Sequence, residues 1–87
     1  MIAKNGFKIR QVAGMNILVP ENEEMDFSEV LTMNDSAAFI WAAIQEERSF
    51  EEVLLMMKSE FDAPEDVLRA DLVEFIDVLK QKGLIAD

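Results

Sequence analysis

The chain has 87 residues with a formal charge of −10, and it contains no cysteine and no histidine. That length fits one domain with a modest core. Disulfides and thiolate metal sites are excluded, and the commonest general base and metal ligand is missing. No D-x-D-x-D-G loop offers a calcium site. No stretch approaches the ~20 apolar residues of a membrane span, and the start has no signal-peptide pattern. The chain therefore reads as soluble and cytoplasmic, without a membrane partner. Its charge is unevenly placed. Residues 1–20 carry Lys4, Lys8 and Arg10 and no acid, whereas residues 21–87 hold all 18 acids and sum to −13. Such a field repels phosphate backbones and argues against nucleic acid as a partner.

Residues 1–6 lack periodicity and read as a flexible tail, leaving 7–87 as the single domain. Phe7 to Val12 alternates, with Phe7 and Ile9 opposite Lys8 and Arg10, the period of a half-buried strand. Ala13-Gly14 offers a hairpin turn in which Gly14 supplies positive φ. Met15, Ile17 and Val19 alternate against Asn16 and Leu18 in the partner strand, which Pro20 ends. Glu21 to Glu24 reads as a solvated acidic connection. Phe27 to Met33 is the expected third strand, its apolar face broken by Glu29.

Asn34-Asp35-Ser36 can cap a helix running from about Asp35 to Glu46, with Ala37, Ile40, Trp41 and Ile44 as its buried stripe. Ser49-Phe50-Glu51-Glu52 is a capping box. The helix it starts has Phe50, Val53, Leu54, Met57 and Phe61 on one face and leaves Leu55 and Met56 off it. A third helix opens near Pro64, capped by Asp62 or Ala63, with Glu65 and Asp66 at its positive end. Its core stripe is Leu68, Leu72, Phe75, Ile76 and Leu79. Lys80 and Lys82 fall in its last turn, and Gly83 is the left-handed terminator before Leu84 and Ile85 fold back. Strands first and helices after argue α+β. The expected architecture is winged helix-turn-helix-like, a three-stranded antiparallel sheet followed by three helices.

Catalysis has little support, because no nucleophile elbow, P-loop, GxGxxG or metal-ligand cluster is present. Two alternatives are weighed against a binding role. Asp35-Ser36-Ala37 invites comparison with the Asp-Ser-Leu of acidic carrier proteins, but those are all-helical, and a cap explains Ser36. A winged helix-turn-helix regulator would read DNA with the third helix, which from Glu65 to Asp77 carries Glu65, Asp66, Asp71, Glu74 and Asp77 against Arg69 alone. A short sheet with an exposed edge can instead accept an extended peptide as an added strand. The same edge can equally pair with a second copy to give a homodimer.

Four segments occur in a telling order. The first is Phe7-Lys8-Ile9-Arg10-Gln11-Val12-Ala13-Gly14. The second is Leu31-Thr32-Met33-Asn34, with Met33 where Leu is usual, followed by Ala37-Ala38-Phe39-Ile40-Trp41. The third is Ser49-Phe50-Glu51-Glu52. The last joins Asp71-Leu72-Val73-Glu74-Phe75 to Leu79-Lys80-Gln81-Lys82-Gly83-Leu84-Ile85. Together they resemble the PqqD-like proteins, the peptide chaperones of pyrroloquinoline quinone synthesis, whose fold recurs as the RiPP recognition element. The resemblance implies a non-catalytic domain without a cofactor. Such a domain binds the leader of a precursor peptide as a strand beside the third strand and against the third helix. It then presents the precursor to a modifying enzyme, often a radical SAM protein. The implied groove takes in Ser28, Glu29, Val30, Leu31, Thr32 and Met33 with Asp66, Val67, Arg69, Ala70, Asp71, Glu74 and Phe75. The acidic third helix departs from the pattern. It suits either a leader with basic or apolar anchors or a partner enzyme meeting that face.

Overall fold

A hairpin, an edge strand and three helices are arranged so that the helices cover one face of a small sheet. The computed structural model describes residues 1–21 and 31–86. Strands β2 (Phe7–Val12) and β3 (Met15–Pro20) pair antiparallel, and β3 pairs in turn with β4 (Leu31–Met33), giving the order β2-β3-β4. Helices α1 (Asp35–Ala43), α2 (Phe50–Glu60) and α3 (Glu65–Gln81) follow. The α+β architecture is thus as the sequence implied. Of the expected third strand, Leu31–Met33 is seen as β4, and the remainder, with Glu29, lies outside the described residues.

The hairpin closes on Ala13 and Gly14 with φ of 53° and 78°. Positive φ at both central residues makes a type I′ turn, whose twist matches the flanking strands. Its register sets Ile9 opposite Leu18 and Phe7 opposite Pro20, and Leu18 faces Leu31 across the next ladder. Partners across a ladder share a face, so Phe7, Ile9, Leu18, Leu31 and Met33 point to the helices. The alternation in β3 resolves in favour of Leu18, which is fully buried, while Ile17 and Val19 are half-buried and Met15 is exposed. Cross-strand partners decide this, because Met15, Ile17 and Val19 share a face with Lys8, Arg10 and Thr32, all exposed.

One hydrophobic cluster joins sheet and helices. It includes Leu18 and Met33 from the sheet, Ile40, Trp41 and Ile44 from α1, Val53, Leu54 and Met57 from α2, and Leu68, Leu72, Ile76 and Leu79 from α3. Full burial of each large side chain contributes about 1.5–3 kcal/mol. Trp41 anchors the sheet to α1 through an edge-to-face contact with Phe7, ring centroids 6.5 Å apart. The expected stripes hold, except that Phe50 and Phe61 at the ends of the α2 stripe are half-buried, and one further departure matters below. Phe75 is only half-buried.

Residues 1–6 differ from the expected loose tail. β1 (Ile2–Ala3) pairs antiparallel with β5 (Ile85–Ala86), and Ala3 joins the core. The Ala3 N–H donates to the Ile44 carbonyl at 2.7 Å, and the Arg48 N–H donates to the Met1 carbonyl at 3.0 Å. This docking also explains why α1 ends at Ala43 rather than Glu46. The Ile44 carbonyl is taken by the N-terminal strand, and Arg48 Nε caps the Ala43 carbonyl at 2.7 Å. Two residues form too short a run to show a period, so only the pairing reveals them.

The helix ends follow local chemistry. Asn34 is the N-cap of α1, its Oδ1 accepting from the Ala37 N–H at 2.9 Å. Ser49 and Glu52 form the complete capping box of α2. α3 starts one residue later than expected, with Pro64 itself at the N-cap position and no side-chain cap from Asp62 or Ala63. Its end is a Schellman motif. Lys82 is the C-cap, Gly83 has φ 67°, the Leu84 N–H reaches the Leu79 carbonyl at 2.8 Å, and the Gly83 N–H reaches that of Lys80 at 3.1 Å. Leu84 is buried beside Leu79, as the motif favours.

The capping box yields a stability prediction. Ser49→Ala removes the side-chain acceptor and is expected to lower the melting temperature by about 5 °C. The Ser49 backbone N–H, and secondly its hydroxyl, hold the Glu52 carboxyl below the usual glutamate range. A depressed folded-state pKa stabilises above the ordinary value, and that contribution is lost as pH falls through the folded value. Glu52→Gln should therefore melt below wild type at pH 7. The gap should close as pH drops below about 4, as read by circular dichroism melts across pH.

Candidate functional site

β4 is the edge strand of its sheet among the described residues, with β3 on one side and no strand on the other. An edge strand leaves a row of backbone N–H and C=O groups without ladder partners. Beside it lies a cavity of about 230 Å³, open to solvent and lined by β4, the start of α1 and one face of α3. Its buried floor is Ala37 and Ile40, and its half-buried walls are Leu31, Phe75 and Val78. Thr32, Asn34, Asp71 and Glu74 are exposed around it, with Ser36 half-buried. Small-molecule sites usually run from ~300 Å³ upward. A cavity of this size suits a side chain delivered by a strand better than a free ligand.

Three local features position it. The Asn34 carboxamide caps α1 and also accepts from Ser36 Oγ at 2.9 Å, which fixes the turn from β4 into α1. Ala37 is small enough to leave the floor open. On α3, the residues 67, 71, 74/75 and 78 fall on one stripe at 3.6 residues per turn, beside the core stripe of Leu68, Leu72, Ile76 and Leu79. Lining from Asp71 to Val78 covers about two turns, or ~10 Å of helix, the length of about three strand residues.

Of the residues implied by sequence, Leu31, Thr32, Asp71, Glu74 and Phe75 come together on this cavity. Met33 is buried in the core instead. Val67 continues the α3 stripe one turn beyond the cavity and is 47% exposed. Asp66 and Ala70 are exposed on α3 away from the lining. Arg69 projects from the opposite flank of α3, toward α2. Its Nη1 meets Glu51 Oε1 at 3.0 Å, its Nη2 lies 3.6 Å from Glu65, and its guanidinium sits 5.7 Å from the Phe50 ring centre. Ser28, Glu29 and Val30 lie outside the described residues. Asn34, Ser36, Ala37, Ile40 and Val78 were missed as site residues. Val78 could have been found by stepping three and four residues on from Asp71 and Glu74.

The electrostatics of α3 divide by face. Lys58 donates to Glu65 at 2.7 Å, and this bond, with Arg69 adding, holds the Glu65 carboxyl below its usual range. Glu51, and then Glu65, hold the Arg69 guanidinium protonated even more firmly than usual. Lys58 and Arg69 are thus engaged near the first turn of α3, while Lys80 and Lys82 lie at its C-terminal end. Asp71 and Glu74 have no ion-pair partner among the described residues, which include every Lys and Arg of the chain. No group of three potential metal ligands occurs among the described residues, and none of their helices is long and apolar enough to cross a membrane.

Residues 15–85 match the family model of coenzyme PQQ synthesis protein D, PqqD. The chain belongs to the PqqD family. No curated protein matches it in sequence. Among solved structures it is similar to TbiB1 in complex with the TbiA(beta) leader peptide. That likeness has a TM-score of 0.70 and 18% identity and covers 100% of both chains. It is also similar to lasso peptide synthetase B1 complexed with the leader peptide. Here the TM-score is 0.68 at 18% identity, over 98% of this chain and 95% of that one. At such identity the likeness speaks for the fold. The PqqD match begins inside the β2–β3 hairpin and ends on β5, so it spans the cavity and all three helices.

The two flanks of α3 separate in an experiment. Arg69→Ala should lower the melting temperature, and less so in high salt, where exposed pairs are screened. Its amide shifts should fall on Phe50 to Val53 and leave Thr32 and Phe75 in place in ¹⁵N correlation spectra.

Proposed function

We propose that this protein is a non-catalytic recognition module for the leader segment of a precursor peptide. The single observation that carries the reading is the unpaired edge of β4 standing beside an apolar-floored cavity closed by α3. A peptide adding to that edge satisfies the free backbone groups, which gives affinity for an extended chain. Its alternate side chains point into the space between β4 and α3, which gives selection. Membership of the PqqD family supports this, as do the leader peptides bound to both structural neighbours. The partner is then a modifying enzyme, radical SAM or other, to which the module delivers its cargo. Holding the leader raises the effective concentration of the attached core peptide, up to millimolar for a short linkage. No group on this chain has to react. The negative charge along α3 works against the nucleic-acid use of a similar helix arrangement.

The test is a ¹⁵N amide titration with the leader of a short precursor encoded beside this protein. Shifts are expected at Leu31, Thr32, Asp71, Glu74 and Phe75. Phe75→Ala should weaken binding by about tenfold through lost apolar contact while the spectrum stays dispersed. Shifts confined to Lys8, Arg10 and Ile17 on the far side of the sheet would overturn the assignment of the groove.

A further inference from the structure

The groove has a charge pattern that selects among peptides. Along the α3 stripe the order is Val67, then Asp71 and Glu74, then Phe75 and Val78, with the buried Ile40 beneath the cavity. Apolar ends thus flank an acidic centre. The acidic pair has no ion-pair partner among the described residues: Lys58 pairs with Glu65 and Arg69 with Glu51 and Glu65, while Lys80 and Lys82, at the C-terminal end of the helix, pair with neither carboxylate. An occupant that places apolar or acidic groups there leaves two carboxylates facing each other uncompensated. One that places an ammonium or guanidinium there neutralises them.

Strand geometry converts this into a sequence pattern. Residues of an added strand face α3 at every second position, so three successive inward side chains span about 13 Å. The helix rises ~16 Å from Val67 to Val78. Resting on the strand-addition reading above, we infer that the peptide chosen by this protein carries a Lys or Arg with an apolar residue two positions away on each side. The basic side chain meets Asp71 and Glu74, one apolar neighbour enters the cavity against Phe75, Val78 and Ile40, and the other lies on Val67. The pattern is symmetric, so it holds for either direction of the added strand.

Capped synthetic peptides test it, with Leu-Thr-Lys-Thr-Leu in a Thr/Ser context and matched versions carrying Gln or Glu at the centre. Affinities and sites are read together from ¹⁵N amide titrations of the intact protein. The Lys peptide should bind about tenfold tighter than the Glu peptide at low salt, with Gln between, and the ratio should shrink as salt screens the pair. A variant combining Asp71→Lys and Glu74→Lys, both at exposed positions, should stay folded and reverse the order. Equal binding of the Lys and Glu peptides, with shifts still at Thr32 and Phe75, would overturn the charge selection and leave the groove standing. Silence from all three peptides would overturn the groove itself and this inference with it.

Discussion

The carboxamide of Asn34 holds the point at which a sheet becomes a helical layer. Its oxygen takes the Ala37 N–H and the Ser36 hydroxyl, both at 2.9 Å. This ends β4 after Met33 and starts α1 within two residues. Because the turn is so short, β4 and α1 cannot separate. Ile40 and Trp41 are carried directly over the sheet, where Leu18 and Phe7 meet them. Everything downstream packs on the surface so made. The same turn leaves the outer edge of β4 facing α3 with a gap between, floored by Ala37.

α3 serves three neighbours with three faces. One stripe is driven into the core by Leu68, Leu72, Ile76 and Leu79. One flank is tied to α2 by Arg69 with Glu51 and Phe50, and by Lys58 with Glu65. The other flank looks at β4 and is left without partners. Exposed ion pairs contribute little each, but these two engage Lys58 and Arg69 on the flank away from the groove. The acidity of the free flank is therefore a property of the folded arrangement as well as of composition.

The readability of this chain follows the range of the forces involved. Caps at Asn34 and Ser49 and the terminator at Gly83 depend on bonds within a few residues, so they are visible in sequence. Helical stripes are visible too, since 3.6-residue periodicity is local. Phe75 shows where that reasoning stops, because its spacing assigns it to the core and its half-buried side chain walls the cavity. Leu18 shows the same limit in a strand. Both faces of β3 are apolar, and only pairing with Ile9 and Leu31 makes one of them the inside. Arg69 and Val78 exchange roles in the same way. The resemblance implied the first, while the second sits on the groove.

The amino-acid order alone determined the class of structure and the sequence of its elements. It also determined the acidic third helix and the ordered segments that mark a PqqD-like chain, because each of these is written in neighbouring residues. Tertiary structure decided which apolar face of β3 is buried, that the first residues pair with the last, and that α1 stops at Ala43. It also decided that Ala37, Ile40 and Val78 enclose the groove while Arg69 turns away from it. Those outcomes depend on residues far apart in the chain coming together, such as Ala3 pairing with Ile85 and Leu31 lining one cavity with Phe75. No local periodicity encodes such contacts, and they exist only once the core has closed.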